Sequence, residues 1–302
     1  MNAPRVRPRH PGETEAMRQA GARLAIGLLI ACSFLDDAAS AAGAPPDDPK
    51  QDAFGDPPGD TDEDPDNNDL TRPQSGFDVR FRYQSSSGTS SRTNQEITML
   101  RLTNRFTLDT DWKLATIAQL PIVTKTTTDT DRESGIGDPF LQAALIRTID
   151  EDWAFGFGAR LVAPTPEDNL GSGKWQIMPG FGVRYSLPAL GPDSYFVPAI
   201  RYAVSFAGDP SRRNISQPQI APTLNIGLPD RWYVTLYPSY DIRINYGDPV
   251  SGQKGRLFLP FDGGIGRRLS DNLTMFLEVG VPIIKDYPVY DFKIEARLAV
   301  KF

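Results

Sequence analysis

The sequence predicts an all-β protein: an antiparallel transmembrane β-barrel of about 12 strands, within a range of 10 to 14. Three observations predict it. From Gly76 to the last residue, apolar and polar side chains alternate with a period of two. The alternating segments run to 10–14 residues, longer than the ~5–6 of a common soluble strand and suited to the ~9–11 a tilted membrane strand needs. The connections between them are alternately short and long, as in outer-membrane barrels. The bulk numbers conceal this, because 302 residues with a net charge of -6 and 39% hydrophobic content read as a soluble acidic protein.

The chain opens with a leader, residues 1–41. Arg18 and Arg23 precede the apolar run Leu24–Leu35, and Ala39-Ser40-Ala41 supplies a small-residue cleavage site, which together form a secretory signal peptide. Met17 is an alternative start, since residues 1–16 add nothing to the pattern. A lipoprotein reading stays open, with Leu29-Ile30-Ala31-Cys32 as a lipobox and Cys32 acylated. Both readings export the chain. The apolar run is too short for a transmembrane helix, which needs ~20 residues.

Residues 42–75 form an acidic spacer rich in Asp and Pro. Residues 33–70 hold twelve acids against Lys50, so the net negative charge of the chain sits there, and the remaining 232 residues sum to +2. With almost no apolar side chains besides Ala53 and Phe54, the segment is expected to stay disordered and solvated. Its Asp spacing does not fit an EF-hand loop.

The barrel is placed at residues 76–302, with segments near 76–86, 97–108, 112–124, 137–148, 153–163, 174–187, 195–206, 216–228, 232–245, 256–269, 273–284 and 290–302. In the last, Tyr290, Phe292, Ile294, Ala296, Leu298, Val300 and Phe302 share one face, and Asp291, Lys293, Glu295, Arg297 and Lys301 the other. Trp232, Val234, Leu236, Pro238, Tyr240, Ile242 and Ile244 divide in the same way from Tyr233, Thr235, Tyr237, Asp241 and Arg243. The fourth and eighth segments are the weakest, interrupted by Pro139, Pro218 and Pro222. Short connections (149–152, 229–231, 270–272) fall on the periplasmic side, and long ones (84–96, 125–136, 164–173, 246–255) outside, so both termini are periplasmic. Trp112, Trp153, Trp232 and Trp175 all lie at strand ends, where the headgroup level would be.

With the apolar face toward lipid, the polar face lines a lumen. Arg105, Arg160, Lys174, Arg184, Arg201, Arg243, Lys293, Arg297 and Glu278 are the expected pore-lining residues. Counting Arg80, Arg82, Arg101, Lys113, Arg256, Arg268 and Lys301 against Asp78, Asp138, Asp241, Asp262, Asp291 and Glu295 as well, the lumen carries about eight excess positive charges, which favours anions. The alternative is that these charges pair across strands and fill the interior.

Catalysis finds little support. The single His, His10, lies in the leader, so imidazole activation of a Ser or of water has no candidate in the mature chain. An Asp241 and Glu278 carboxylate pair is conceivable, but ion pairing with Arg243 explains it more simply. No cofactor, no metal and no nucleic-acid partner is expected.

Two short stretches carry a family resemblance. Ser134-Gly-Ile-Gly-Asp138 followed by Phe140–Leu145, and Leu170-Gly-Ser-Gly-Lys-Trp-Gln176 followed by Pro179-Gly-Phe-Gly182, resemble the bacterial outer-membrane proteins of the MetA-pathway of phenol degradation family. The resemblance extends over most of 76–302. The terminal Phe302 on an alternating strand looks like the signal read by the barrel-assembly machinery of a Gram-negative bacterium. The resemblance implies a channel or transporter-like barrel in the outer membrane, among its lipids, for uptake of small aromatic or anionic molecules. A structural or adhesive barrel without transport is the competing reading.

Overall fold

The computed structural model describes residues 71–87, 92–128, 131–165, 169–191 and 193–302. The leader with His10 and Cys32, and the acidic residues up to Leu70, lie outside the described residues. The strands are β1 (Gly76–Ser87), β2 (Arg92–Thr107), β3 (Trp112–Thr128), β4 (Asp131–Ile136), β5 (Phe140–Thr148), β6 (Trp153–Val162), β7 (Lys174–Ser186), β8 (Tyr195–Gly208), β9 (Ser216–Gly227), β10 (Trp232–Leu236), β11 (Ile242–Ile244), β12 (Leu257–Arg268), β13 (Leu273–Lys285) and β14 (Phe292–Lys301). Both β4 and β5 pair with β3, and both β10 and β11 pair with β9 and β12, so each couple is one interrupted stave. The fourteen segments therefore make twelve staves, joined antiparallel in chain order. β1 pairs with β14 from Gly76↔Lys301 to Ser85↔Phe292, which closes the barrel and leaves no edge.

Burial is inverted relative to a soluble protein. Arg101 and Glu278 are fully buried, whereas Phe81 is 58% and Ile283 62% exposed. On β13, Met275, Leu277, Val279 and Val281 are exposed while Thr274, Phe276 and Glu278 are buried. A strand whose apolar residues face outward and whose charges face inward is stable only if the outside is hydrocarbon. That arrangement excludes a water-soluble β-sandwich.

The short turns at the end of the barrel that holds Trp112 and Trp153 repeat one device. Asp109 Oδ1 accepts hydrogen bonds from the N–H groups of Asp111 (2.9 Å) and Trp112 (2.7 Å), and Asp150 Oδ1 does the same for Asp152 (2.9 Å) and Trp153 (2.7 Å). Ser270 Oγ plays this part before Leu273. A short polar side chain that bonds backbone two and three residues on fixes a tight turn without help from the rest of the fold.

Several expectations are corrected. Connections 84–96 and 125–136 are not long loops: β1 continues to Ser87, β2 starts at Arg92, and β3 with β4 forms a hairpin down to Ile136. Polar side chains populate these extensions, so alternation fades although the backbone stays paired. The eighth stave, expected to be weak, is regular, with Pro222 opposite Pro198; each proline removes only one N–H from a strand held on both edges. The fourth is interrupted between Ile136 and Phe140, at the expected Pro139, and the ninth, expected to be continuous, is broken as well. Tyr237 adopts φ 51°, a left-handed conformation, and its neighbours Pro238, Ser239, Tyr240 and Asp241 are all buried. Alternation assigned Pro238 and Tyr240 to the lipid face; the kink turns them inward. Tyr290, read as lipid-facing, is also buried, packed edge-on against Phe258 at 4.9 Å just before β14 begins.

Candidate functional site

The barrel interior divides into two walls of different chemistry. One wall runs through β1, β12, β13 and β14 and the kink before β11, and it is an ion-pair network. Lys293 Nζ donates to Asp241 (2.6 Å), Asp262 (3.0 Å) and Glu278, and to Ser239 Oγ (3.3 Å). Arg243 pairs with Asp241 (2.7 Å), Arg82 with Glu295 (2.6 Å) and Arg80 with Asp78 (2.6 Å). All these side chains are essentially buried, and buried charges persist only when paired in this way. The carboxylate oxygens of Asp241, Asp262 and Glu278 lie within 4.8 Å of one another, but a lysine ammonium occupies the position a cation would take. The Asp241 and Glu278 couple is thus an ion-pairing element: Arg243 pairs with Asp241, as the sequence suggested, and Lys293 with both.

The opposite wall, β2 through β9, is basic and aromatic, with uncharged polar, small and apolar side chains between. Three arginines each pair across the sheet with a glutamine. Arg101 donates to Gln119 Oε1 (2.9 and 2.7 Å), Arg160 to Gln142 Oε1 (3.0 and 2.7 Å), and Arg201 to Gln219 Oε1 (2.5 Å). An amide acceptor orients a guanidinium without cancelling its charge. The Arg160 guanidinium lies 3.8 Å from the Phe140 ring centroid, Arg201 4.5 Å from Tyr240, and Arg184 5.7 Å from Tyr195, within cation–π range. Between them the inner face is stripped of bulk. Ala144 faces Gly158, Gly158 faces Gly180, Gly156 faces Gly182 and Gly182 faces Ala199. The recess so formed is a cavity of about 80 Å³ whose lining includes Thr71, Ile117, Gln142, Arg160, Met178, Arg201 and Tyr240. It is far below the ~300–1,000 Å³ of a typical ligand pocket. Above it Ile117, Phe140, Val162, Met178, Ala203 and Ile215 form an apolar cluster inside the barrel.

The two stretches that carried the family resemblance meet at the end of the barrel opposite the short turns. Asp138, in the break between β4 and β5, accepts hydrogen bonds from Thr165 N (2.8 Å), Ser172 N (2.8 Å) and Ser172 Oγ (2.6 Å). A Cβ on Gly171 would lie 2.0 Å from Asp138 Oδ1, so only glycine fits at that approach. Leu170 is thereby buried against the inward-facing Ile97, Met99 and Val123. Residues 170–172, just before β7, are thus folded inward against the barrel wall.

Of the expected pore-lining residues, Arg160, Lys174, Arg184, Arg201, Arg243, Glu278, Lys293 and Arg297 are buried in the interior. Arg105 is exposed near the end of β2, where its N–H donates to Ser75 Oγ (3.0 Å), and it stands apart from this set. Among the described residues twelve Lys and Arg and six Asp and Glu side chains are buried, an excess of six positive charges rather than eight. Lys113, Arg268, Lys301 and Asp291 are only partly buried at strand ends, and Arg256 is exposed. The glutamines, Phe140 and Tyr240 escaped sequence reasoning. The pairs had a signal, since Arg101/Gln119, Gln142/Arg160 and Arg201/Gln219 are each separated by 18 residues, the spacing that places partners face to face across these turns.

The family model of the MetA-pathway of phenol degradation matches residues 68–281. No curated protein matches the chain. Among solved structures, the COG4313 outer membrane channel from Pseudomonas putida F1 aligns with a TM-score of 0.62 at 14% identity, covering 76% of this chain and 97% of that one. The KdgM porin aligns at 0.42 and 12% identity over 74% and 99% of the two chains, and the β domain of the Bordetella autotransporter BrkA at 0.47 and 10% over 76% and 100%. With most of its length matched, the chain belongs to the MetA-pathway of phenol degradation family and has the fold of an outer-membrane β-barrel.

Proposed function

We propose that this protein is an outer-membrane channel of a Gram-negative bacterium that admits small molecules joining an aromatic or apolar body to a negative charge. The observation that carries the reading is the β2–β9 wall, where Arg160 stacked on Phe140 and Arg201 over Tyr240 stand beside Ile117, Met178 and a glycine-lined recess. A carboxylate or phenolate would meet guanidinium donors there, and a ring would meet apolar wall. The chain has the length to span the outer membrane with both termini in the periplasm. The leader, cleaved after residue 41 or lipidated at Cys32, exports it, and the final strand ending at Phe302 presents it to the assembly machinery. Catalysis has no place in this reading, because the inward carboxylates Asp241 and Glu278 are engaged by Lys293 and Arg243.

Uptake into vesicles tests this with benzoate and uncharged benzyl alcohol as probes. Benzoate is expected to enter faster through the protein than through protein-free vesicles, and R160Q/R201Q to lower benzoate entry about tenfold while changing benzyl alcohol little, the scale of one lost charge-assisted contact. Passage of neither solute, through the full chain or a variant lacking residues 46–69, would leave a closed structural barrel and sink the reading.

A further inference from the structure

The hydrocarbon-facing side of the barrel carries a groove larger than the interior recess. It measures about 440 Å³, within the ~300–1,000 Å³ of a typical ligand pocket, and its lining includes Asn104, Thr116, Ala143, Ala159, Leu161 and Ile177. Leu161 and Ile177 are 42% and 41% exposed while their chain neighbours Arg160 and Met178 are buried, so the groove opens away from the lumen. Strand register explains it. Asn104 pairs with Thr116, Thr116 with Ala143, Ala143 with Ala159 and Ala159 with Pro179, which sets small or polar side chains in one row across β2, β3, β5, β6 and β7. The outward row on one side holds Leu102, Leu141, Leu161 and Ile177, and that on the other Phe106, Leu114, Leu145, Phe157 and Phe181. The result is a trench between two bulky ridges. The trench also climbs through the membrane. Counted from the strand ends at the short turns, Asn104 lies 3 residues in, Thr116 4, Ala143 5, Ala159 6 and Pro179 7. The Asn104 end is therefore nearest the headgroups and the Pro179 end nearest the bilayer centre. Four interstrand steps of ~4.8 Å make it roughly 19 Å long, and at a strand tilt of about 45° it rises roughly 13 Å, close to the ~15 Å of one leaflet.

Chemistry changes along the same direction. At the rim below the trench, Arg147 is exposed beside its register partner Trp112, its guanidinium 5.5 Å from the ring centroid, and among the described residues no carboxylate pairs with it. Next come Asn104 and Thr116, whose side chains have no hydrogen-bond partner among the described residues. Polar groups facing hydrocarbon are costly until something bonds them. Beyond them, Ala143, Ala159 and Pro179 offer only apolar surface. We propose that the trench binds one glycerophospholipid of the leaflet at the short-turn end. The phosphate accepts charge-assisted bonds from the Arg147 guanidinium, which Trp112 holds at headgroup level. An ester carbonyl accepts from the Asn104 amide or the Thr116 hydroxyl, and one acyl chain lies along Ala143, Ala159 and Pro179 between the ridges. Charge, then hydrogen-bond donor, then apolar trench is the order of groups in that lipid, and it selects the lipid over a free anion or a wholly apolar guest. The site stands whether or not the lumen conducts. Arg267 provides an internal control. It is exposed 5.2 Å from the ring of its register partner Trp232, but the small residue above it, Gly263, is flanked by Leu236 and Val279, so no trench leads from that pair.

Native mass spectrometry of the full chain in non-ionic detergent, titrated with dipalmitoyl phosphatidylglycerol, tests the site, with heat-modifiable gel mobility verifying that each variant folds. One lipid is expected to saturate ahead of all others. R147Q, and separately A143L/A159L, which fills the trench with side chains a lipid face accepts, should each weaken that lipid about tenfold, the scale of one charge-assisted contact or of a blocked chain. R267Q should leave it unchanged, and dipalmitoylglycerol, which lacks the phosphate, should bind about tenfold more weakly. In vesicles of chain-brominated phosphatidylglycerol, a barrel keeping Trp112 as its only tryptophan should be quenched less once A143L/A159L is added. No preferred first lipid, an unchanged affinity in A143L/A159L, or equal losses in R147Q and R267Q would overturn the proposal and leave the trench as ordinary lipid-facing surface. A first site that takes lipid A in preference overturns it too.

Discussion

Replacing Lys293 with methionine tests the ion-pair wall most severely. Its ammonium bonds Asp241, Asp262 and Glu278, and without it three carboxylates are left within 4.8 Å of one another in the barrel interior. Two such charges 4.8 Å apart repel by roughly 3.5 kcal/mol at an effective dielectric constant of about 20. Breaking a buried pair by removing one partner costs about 3–5 kcal/mol. The two routes agree, so K293M should lower the unfolding free energy by about 3–5 kcal/mol, two to three and a half powers of ten in the equilibrium constant. Urea unfolding of the reconstituted barrel, followed by tryptophan emission and gel mobility, measures it. The coupling is diagnostic: D262N destabilises the natural chain but should restore part of the loss in K293M, because it removes one of the repelling charges. A K293M barrel within about 1 kcal/mol of the natural one, the scale of an exposed ion pair, would refute the network.

The stretch before β7 offers a second test. G171A drives a Cβ into Asp138 and D138N removes the ionic acceptor, so each should undock residues 170–172 and open them to proteolysis, with a loss of about 1–3 kcal/mol per broken buried contact. A lipid-face substitution gives a third: L277R should cost about 2–4 kcal/mol in a bilayer if that position lies near the midplane, whereas a position facing water would tolerate it. The end of β13 and the start of β14 are tied by Asp291, which accepts from Ser87 N (2.7 Å) and from Lys285. Its partial burial pushes the carboxyl up, but the bonds from Lys285 and Ser87 outweigh this and hold it below the usual range. A depressed folded value stabilises above the ordinary carboxyl pKa of about 3.9 and is lost as pH falls through the lower folded value. Amide exchange around Asp291 should therefore stay slow at pH 5 and quicken only in stronger acid, and D291N should remove that dependence.

Most of the barrel was legible because a membrane strand is a local object. Its face alternation, its length and its turn residues are all written within about 15 residues, so all twelve staves could be located from alternation and spacing. What failed was non-local. A left-handed Tyr237 opens a kink that turns Pro238 and Tyr240 inward before the alternation resumes at Asp241, and nothing in Tyr237-Pro238-Ser239 announces it beyond the proline. The hairpin extensions of β1–β4 were hidden because polar residues on both faces carry no period. The basic character of the lumen was legible from charge counting. Its division into an ion-paired wall and an Arg–Gln wall was not, since that depends on which strands become neighbours of which. The G-x-G-D and G-S-G stretches could be recognised as a resemblance, but their shared task, a carboxylate clamping a loop, appears only when residues 138 and 172 meet.

A barrel with charge inside and hydrocarbon outside is read out by the collision accessibility of single spin labels along β13. With Cys32 replaced by Ser, labels at 275, 277, 279 and 281 should collide freely with lipid-dissolved oxygen. Labels at 274, 276, 278 and 280 should be sheltered from it, giving a period of two in phase with the exposed Met275, Leu277, Val279 and Val281. Odd positions that answer instead to a water-soluble nickel chelate, or a pattern shifted by one residue, would contradict the account.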